Sequence, residues 1–82
     1  PAFLANRRTD LTLMQDAPVQ GDYAAIRTTG HRMKGLAGSF GFPDIGAVGQ
    51  RLEQAARSRD REAIRRELDG LATMLDGVDQ AA

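Results

Sequence analysis

The sequence predicts an all-α fold, an antiparallel up-down-up-down four-helix bundle, on three observations. Ala, Leu, Arg, Glu and Gln dominate while alternating β-branched runs are missing, which favours helix over strand. Apolar residues recur at helical spacing through four segments. The breaks between segments are short, and short connections favour antiparallel neighbours.

The first helix is predicted from about Ala2 to Gln15, with Phe3, Leu4, Leu11 and Met14 roughly on one side. It should stop near Asp16-Ala17-Pro18, because proline disfavours helix in the residue before it. The second starts around Gly21-Asp22, with Asp22 as N-cap, and continues to about Phe40. On a helical wheel Ile26, Met33, Ala37 and Phe40 share a core face, with Tyr23 at its edge. Gly41-Phe42-Pro43-Asp44 is a break, and Pro43 is suited to open the next helix. That third helix carries Ile45, Val48, Leu52 and Ala55 or Ala56 at the spacing of a buried stripe. Ser58-Arg59-Asp60 forms a turn, and Asp60 can cap the fourth helix. There Ile64, Leu68, Leu71, Leu75 and Val78 form the cleanest amphipathic pattern in the chain.

Eighty-two residues suffice for one domain, residues 1–82, and a hydrophobic fraction of 41% supplies one modest core. The chain begins at Pro1 rather than methionine, which fits a piece of a longer protein. Eleven basic and eleven acidic residues cancel, so neither nucleic acid nor an anionic membrane is expected as the main partner. Arg57, Arg59, Arg61, Arg65 and Arg66 read as solvated helix surface, balanced by neighbouring acids. With no cysteine, disulfides, thiolate zinc sites and cysteine nucleophiles are all excluded. No apolar run approaches the roughly 18 residues of a membrane span, and Arg7, Arg8 and Asp10 interrupt any signal-peptide pattern. A cytoplasmic location is the expectation.

The second helix carries the chemistry. His31 is the only histidine and Lys34 the only lysine, three positions apart. Lys34, Gly35 and Gly38 fall on the same outer face as His31, nearly opposite the apolar face. A glycine inside a helix costs on the order of 0.5–1 kcal/mol relative to alanine. Gly30 projects toward the core and can be explained by close helix packing, but Gly35 and Gly38 cannot. A side-chain-free strip beside an exposed imidazole suits the close approach of another macromolecule. Neutral imidazole is nucleophilic toward phosphorus, and phosphoryl transfer depends mainly on positioning and charge stabilisation. Lys34 can offer its cation to phosphoryl oxygens.

The stretch His31-Arg32-Met33-Lys34-Gly35-Leu36-Ala37-Gly38-Ser39-Phe40-Gly41 resembles the histidine-phosphotransfer (HPt) motif, His-x-x-Lys-Gly followed by small residues and glycine. Leu52-Glu53 looks like the family's Leu-Glu pair on the following helix, and Gly21-Asp22 resembles its lead-in. The similarity covers about residues 20–58 and the flanking helices as a pattern. It implies that His31 carries the phosphoryl group on Nε2, that Lys34 contacts that group, and that Gly35 and Gly38 clear a docking surface. It also implies that Glu53 hydrogen-bonds the other imidazole nitrogen and orients the ring. The implied partners are aspartates of response-regulator receiver domains, with magnesium held by the receiver and no cofactor on this chain. A histidine kinase is a further implied partner, since the family includes phosphoacceptor domains of chemotaxis-type or hybrid sensor kinases.

Rival motifs fail on inspection. Gly30-x-x-x-x-Gly35 lacks the Lys-Ser/Thr of a phosphate-binding loop, and one histidine without cysteine cannot make a usual zinc site. The dimerisation-and-phosphoacceptor domain of a conventional histidine kinase usually has an acid after its histidine, where Arg32 stands here. A helical adaptor with an incidental histidine is the remaining alternative. The expectation is a monomer that relays phosphate without ATP binding or autokinase activity of its own.

Overall fold

Helix formation follows the periodicity closely. The computed structural model describes residues 2–16 and 21–81, with side chains described through residue 77. Its elements are α1 (Ala2–Asp16), α2 (Tyr23–Ser39), α3 (Pro43–Arg57) and α4 (Arg61–Ala81). The fold is all-α. The expected stop at Ala17-Pro18 and the side chain of Val78 lie outside the described residues.

Side-chain caps open two of the helices. Asp22 Oδ1 accepts the Ala25 N–H at 3.1 Å, and Asp60 Oδ1 accepts the Ala63 N–H at 3.1 Å. Each satisfies a donor that has no partner within its own helix. Pro43 is the first residue of α3, where its missing N–H costs nothing.

The C-termini of α2 and α3 close in one hydrogen-bond pattern. The Phe42 N–H reaches Ala37 O at 2.9 Å and the Gly41 N–H reaches Gly38 O at 3.4 Å. One turn beyond α3, the Asp60 N–H reaches Ala55 O at 3.0 Å and the Arg59 N–H reaches Ala56 O at 3.1 Å. This closure needs one residue in the left-handed region. Gly41 fills that role at φ 78° and Arg59 at φ 53°. Glycine does so freely, whereas an L side chain there costs about 1–2 kcal/mol.

The predicted stripes meet in one core. Met14, Ile26, Met33, Leu52, Ile64, Leu71 and Leu75 are fully buried, and all four helices contribute. Close backbone approach joins α1 to α2, α2 to α3, α3 to α4 and α4 to α1, while the backbones of the diagonal pairs stand further apart among the described residues. The tightest pairing is α2 with α3. A Cβ on Gly30 would lie 2.7 Å from Gly49 O, and one on Gly49 would lie 2.7 Å from Gly30 O. At the next crossing a Cβ on Gly46 would sit 3.4 Å from Ala37 Cβ. Glycine lets the two backbones touch, and this fixes how far α3 stands from the outer face of α2.

Phe40 departs from the expected core face. It follows the last residue of α2 and is 57% exposed. At that end of the bundle α1 reaches it through Phe3, whose ring stacks 4.7 Å away. A second departure is a buried charged pair on α1. Arg7 and Asp10 are almost fully buried, with Arg7 Nε 2.9 Å from Asp10 Oδ2 and the Arg7 guanidinium 4.8 Å from the centre of the Phe3 ring. Asp10 also accepts from Arg32 Nη2 at 3.3 Å, which ties α1 to the helix carrying His31.

Candidate functional site

His31 projects from the middle of α2, its side chain 68% exposed. Its Nδ1 lies 3.1 Å from Glu53 Oε2 on α3. Glu53 is buried, with the residue only 6% exposed. A carboxylate accepts hydrogen bonds, so this contact favours the tautomer with hydrogen on Nδ1. Nε2, on the other side of the ring, then keeps its lone pair. The positions follow from the α2–α3 crossing: a Cβ on Gly30 would lie 3.0 Å from the Glu53 backbone N, so no side chain separates the helices beside His31.

Lys34 Nζ approaches the other carboxylate oxygen, Glu53 Oε1, at 3.5 Å. The contact is long, and the side chain is 43% exposed. The ammonium is therefore held near the imidazole without being locked to the acid. A Cβ built on Gly35 or Gly38 meets nothing within 4 Å. Both glycines face open space on the face that bears His31. The structure thus brings His31, Lys34 and Glu53 together and leaves the Gly35–Gly38 strip bare.

The model of the Hpt domain family matches residues 2–81, nearly the whole chain. The chain belongs to the Hpt domain family. No curated protein and no solved structure matches it in the corresponding comparisons. Hpt domains serve phosphotransfer in two-component signalling and interact with response regulators. Among the described residues of this Hpt domain, no helix is long and apolar enough to cross a membrane.

Glu53 is where the electrostatics of this Hpt domain converge. Burial alone would raise its carboxyl, but the charges of Lys34, His31 and Arg57, with the hydrogen bond from Lys34, outweigh burial and hold it below 4.5. A carboxyl depressed in the folded state stabilises the fold fully above its unfolded value, and that contribution disappears as pH falls through the folded value. The urea midpoint of the native domain should therefore fall more steeply below pH 4.5 than that of Glu53→Gln. Parallel acid limbs for the two proteins would contradict this account.

Arg57 belongs to the site although it reads in the sequence as solvated surface. Its Nη2 donates to Glu53 Oε2 at 3.3 Å, the same oxygen that faces His31. The signal was available as the i, i+4 spacing from Glu53. Arg27, Ser39 and Gln50 are all exposed, and Arg32 is engaged with Asp10.

Proposed function

We propose that this Hpt domain accepts a phosphoryl group on His31 Nε2 and relays it to or from aspartates of response-regulator receiver domains. The observation that supports this best is the 3.1 Å contact from Nδ1 to the buried Glu53 carboxylate, which turns the nucleophilic nitrogen outward beside the glycine strip. In the forward step the Nε2 lone pair attacks the phosphorus of an aspartyl phosphate. The P–N bond forms as the bond from phosphorus to the aspartate oxygen breaks, and the aspartate leaves as a carboxylate. The Nδ1 hydrogen stays on the imidazole, and Glu53 stabilises the positive charge the ring acquires. Lys34 neutralises phosphoryl oxygens during transfer. Magnesium is held by the receiver's acidic pocket, and this chain contributes no cofactor, ATP site or autokinase activity.

The four helices take up an antiparallel up-down-up-down arrangement in this reading, and residues 1–82 act as a single domain, monomeric and cytoplasmic. Positions along α3 fall as those along α2 rise, Gly46 lying by Ala37 and Glu53 by Gly30, which supports the arrangement for that pair.

The test is a phosphotransfer assay in which receiver domains carrying radiolabelled aspartyl phosphate are mixed with the chain and acid-labile label is followed. Transfer to the chain supports the relay. If receivers fail and a separate ATP-binding kinase domain succeeds, the domain is the phosphoacceptor of a chemotaxis-type or hybrid sensor kinase. Failure of both donors leaves a helical adaptor. Gly35→Leu should fold at least as stably as the native domain, because leucine is the better helix former by roughly 0.8 kcal/mol and its Cβ meets open space. Transfer from a receiver should nevertheless drop at least about tenfold as the side chain blocks close approach. Undiminished transfer in that variant would remove the clearance role of the strip.

A further inference from the structure

One turn before His31 on α2, Arg27 and Arg59 line a cleft beside Arg57, and neither of the two takes part in the phosphotransfer chemistry. The cleft has a volume of about 260 Å³ and is lined by Tyr23, Ala24 and Arg27 from the start of α2 and by Ala56, Arg57 and Arg59 from the end of α3. Arg27 precedes His31 by four residues, so it projects from the same side of α2. The Arg59 guanidinium stands 5.7 Å from the centre of the Tyr23 ring.

The charges in this cleft are not balanced from within. Neither Arg27 nor Arg59 forms an ion pair with a described carboxylate, in contrast to Arg51, which bonds Glu67 at 2.7 Å, and Arg65, which pairs with Glu62 and Asp69. The acids nearest in sequence, Asp22 and Asp60, cap α2 and α4, and Glu53 is already shared among His31, Lys34 and Arg57. The position of Arg59 is a separate indication. It occupies the left-handed closing position of α3, where the equivalent residue of α2 is Gly41. An arginine kept where glycine would be less strained points to a use for its side chain.

We infer that this cleft is a docking surface for an acidic edge of the receiver partner. It lies beside the phosphoacceptor, so carboxylates on the rim of the receiver's active face, outside the pocket that holds magnesium, would meet Arg27 and Arg59 while the aspartyl phosphate meets His31. Such contacts set the orientation of docking and the rate of encounter rather than the chemical step. The inference rests on the relay reading above.

The test uses the receiver that exchanges phosphate with the native chain. Transfer is measured against receiver concentration for the native chain, for Arg27→Ala/Arg59→Gly, and for Arg65→Ala/Arg66→Ala, which removes the same charge from α4 outside the cleft. Glycine is chosen at Arg59 because it suits the backbone at φ 53°. The cleft variant should raise KM roughly fivefold to tenfold at low salt with kcat within about twofold, and the difference should shrink near 0.5 M salt, roughly where screening shortens the reach of exposed charges. The α4 variant should keep the native KM. An unchanged KM in the cleft variant, an equal rise in the α4 variant, or a fall in kcat alone would overturn the inference. No transfer to the native chain from any receiver would instead overturn the relay reading and the inference with it.

Discussion

Replacing His31 by glutamine is expected to abolish acid-labile phosphorylation of the chain entirely. Glutamine approximates the length of histidine and can offer a polar group toward Glu53, but its amide nitrogen has no available lone pair. Loss should therefore be complete rather than partial. The fold should survive, because His31 is on the solvent side of α2 and Glu53 retains Lys34 and Arg57 as partners. The measurement is label retained after transfer at neutral pH and released by brief acid treatment, alongside a helical circular dichroism signal that matches the native domain. Retained acid-labile label in His31→Gln would move the phosphoacceptor elsewhere and end the assignment. Lys34→Ala offers a graded comparison: slower transfer with an intact fold, since among the described residues the Lys34 ammonium pairs with Glu53 alone, and that at 3.5 Å.

Gly49→Ala is expected to produce the largest loss of stability among single methyl additions to this chain. By helix propensity alone, alanine would stabilise α3 by about 1 kcal/mol. Contact reverses the sign. The new Cβ would lie 2.7 Å from Gly30 O and 2.9 Å from Lys34 N, both backbone atoms that cannot rotate away. The helices must separate, and overpacking of this kind costs about 1–3 kcal/mol. The check is a urea titration in which the midpoint falls while the slope stays constant. A second readout follows from geometry. Parting α3 from α2 lengthens the 3.1 Å contact between Glu53 and His31, so residual transfer should slow even where the variant is folded. Gly38→Ala makes the same chemical change in open space and should be stabilising by up to about 1 kcal/mol. Gly49→Ala as stable as the native domain would mean that α2 and α3 are not held apart by their backbones.

Much of the fold is legible in the amino-acid sequence. The apolar spacing located all four helices to within a few residues, and Asp22, Asp60 and Pro43 marked helix starts through local chemistry that needs no distant partner. Phe40 was misread because the helical wheel assumes a core along the whole length of the helix. Phe40 stands just past the end of α2, where its ring stacks on Phe3 and stays mostly exposed. Arg7 and Asp10 were missed for the converse reason, since an i, i+3 charged pair looks the same on a solvated helix as beneath a neighbouring one.

Within the site, the sequence by itself determined that His31, Lys34, Gly35 and Gly38 share one face, because a single helix fixes residues at separations of three, four and seven without help from the rest of the fold. Which carboxylate meets the imidazole follows from no local spacing; family resemblance points to Glu53, and the tertiary structure is what brings it there. Glu53 is twenty-two residues from His31, and only the contact of the Gly30 and Gly49 backbones brings α3 close enough for its carboxylate to reach Nδ1. The same crossing gathers Arg27 with Arg57 and Arg59, which along the chain look like unrelated surface charges. Local spacing sets what one helix presents, and the separation of two helices depends on the atoms between them.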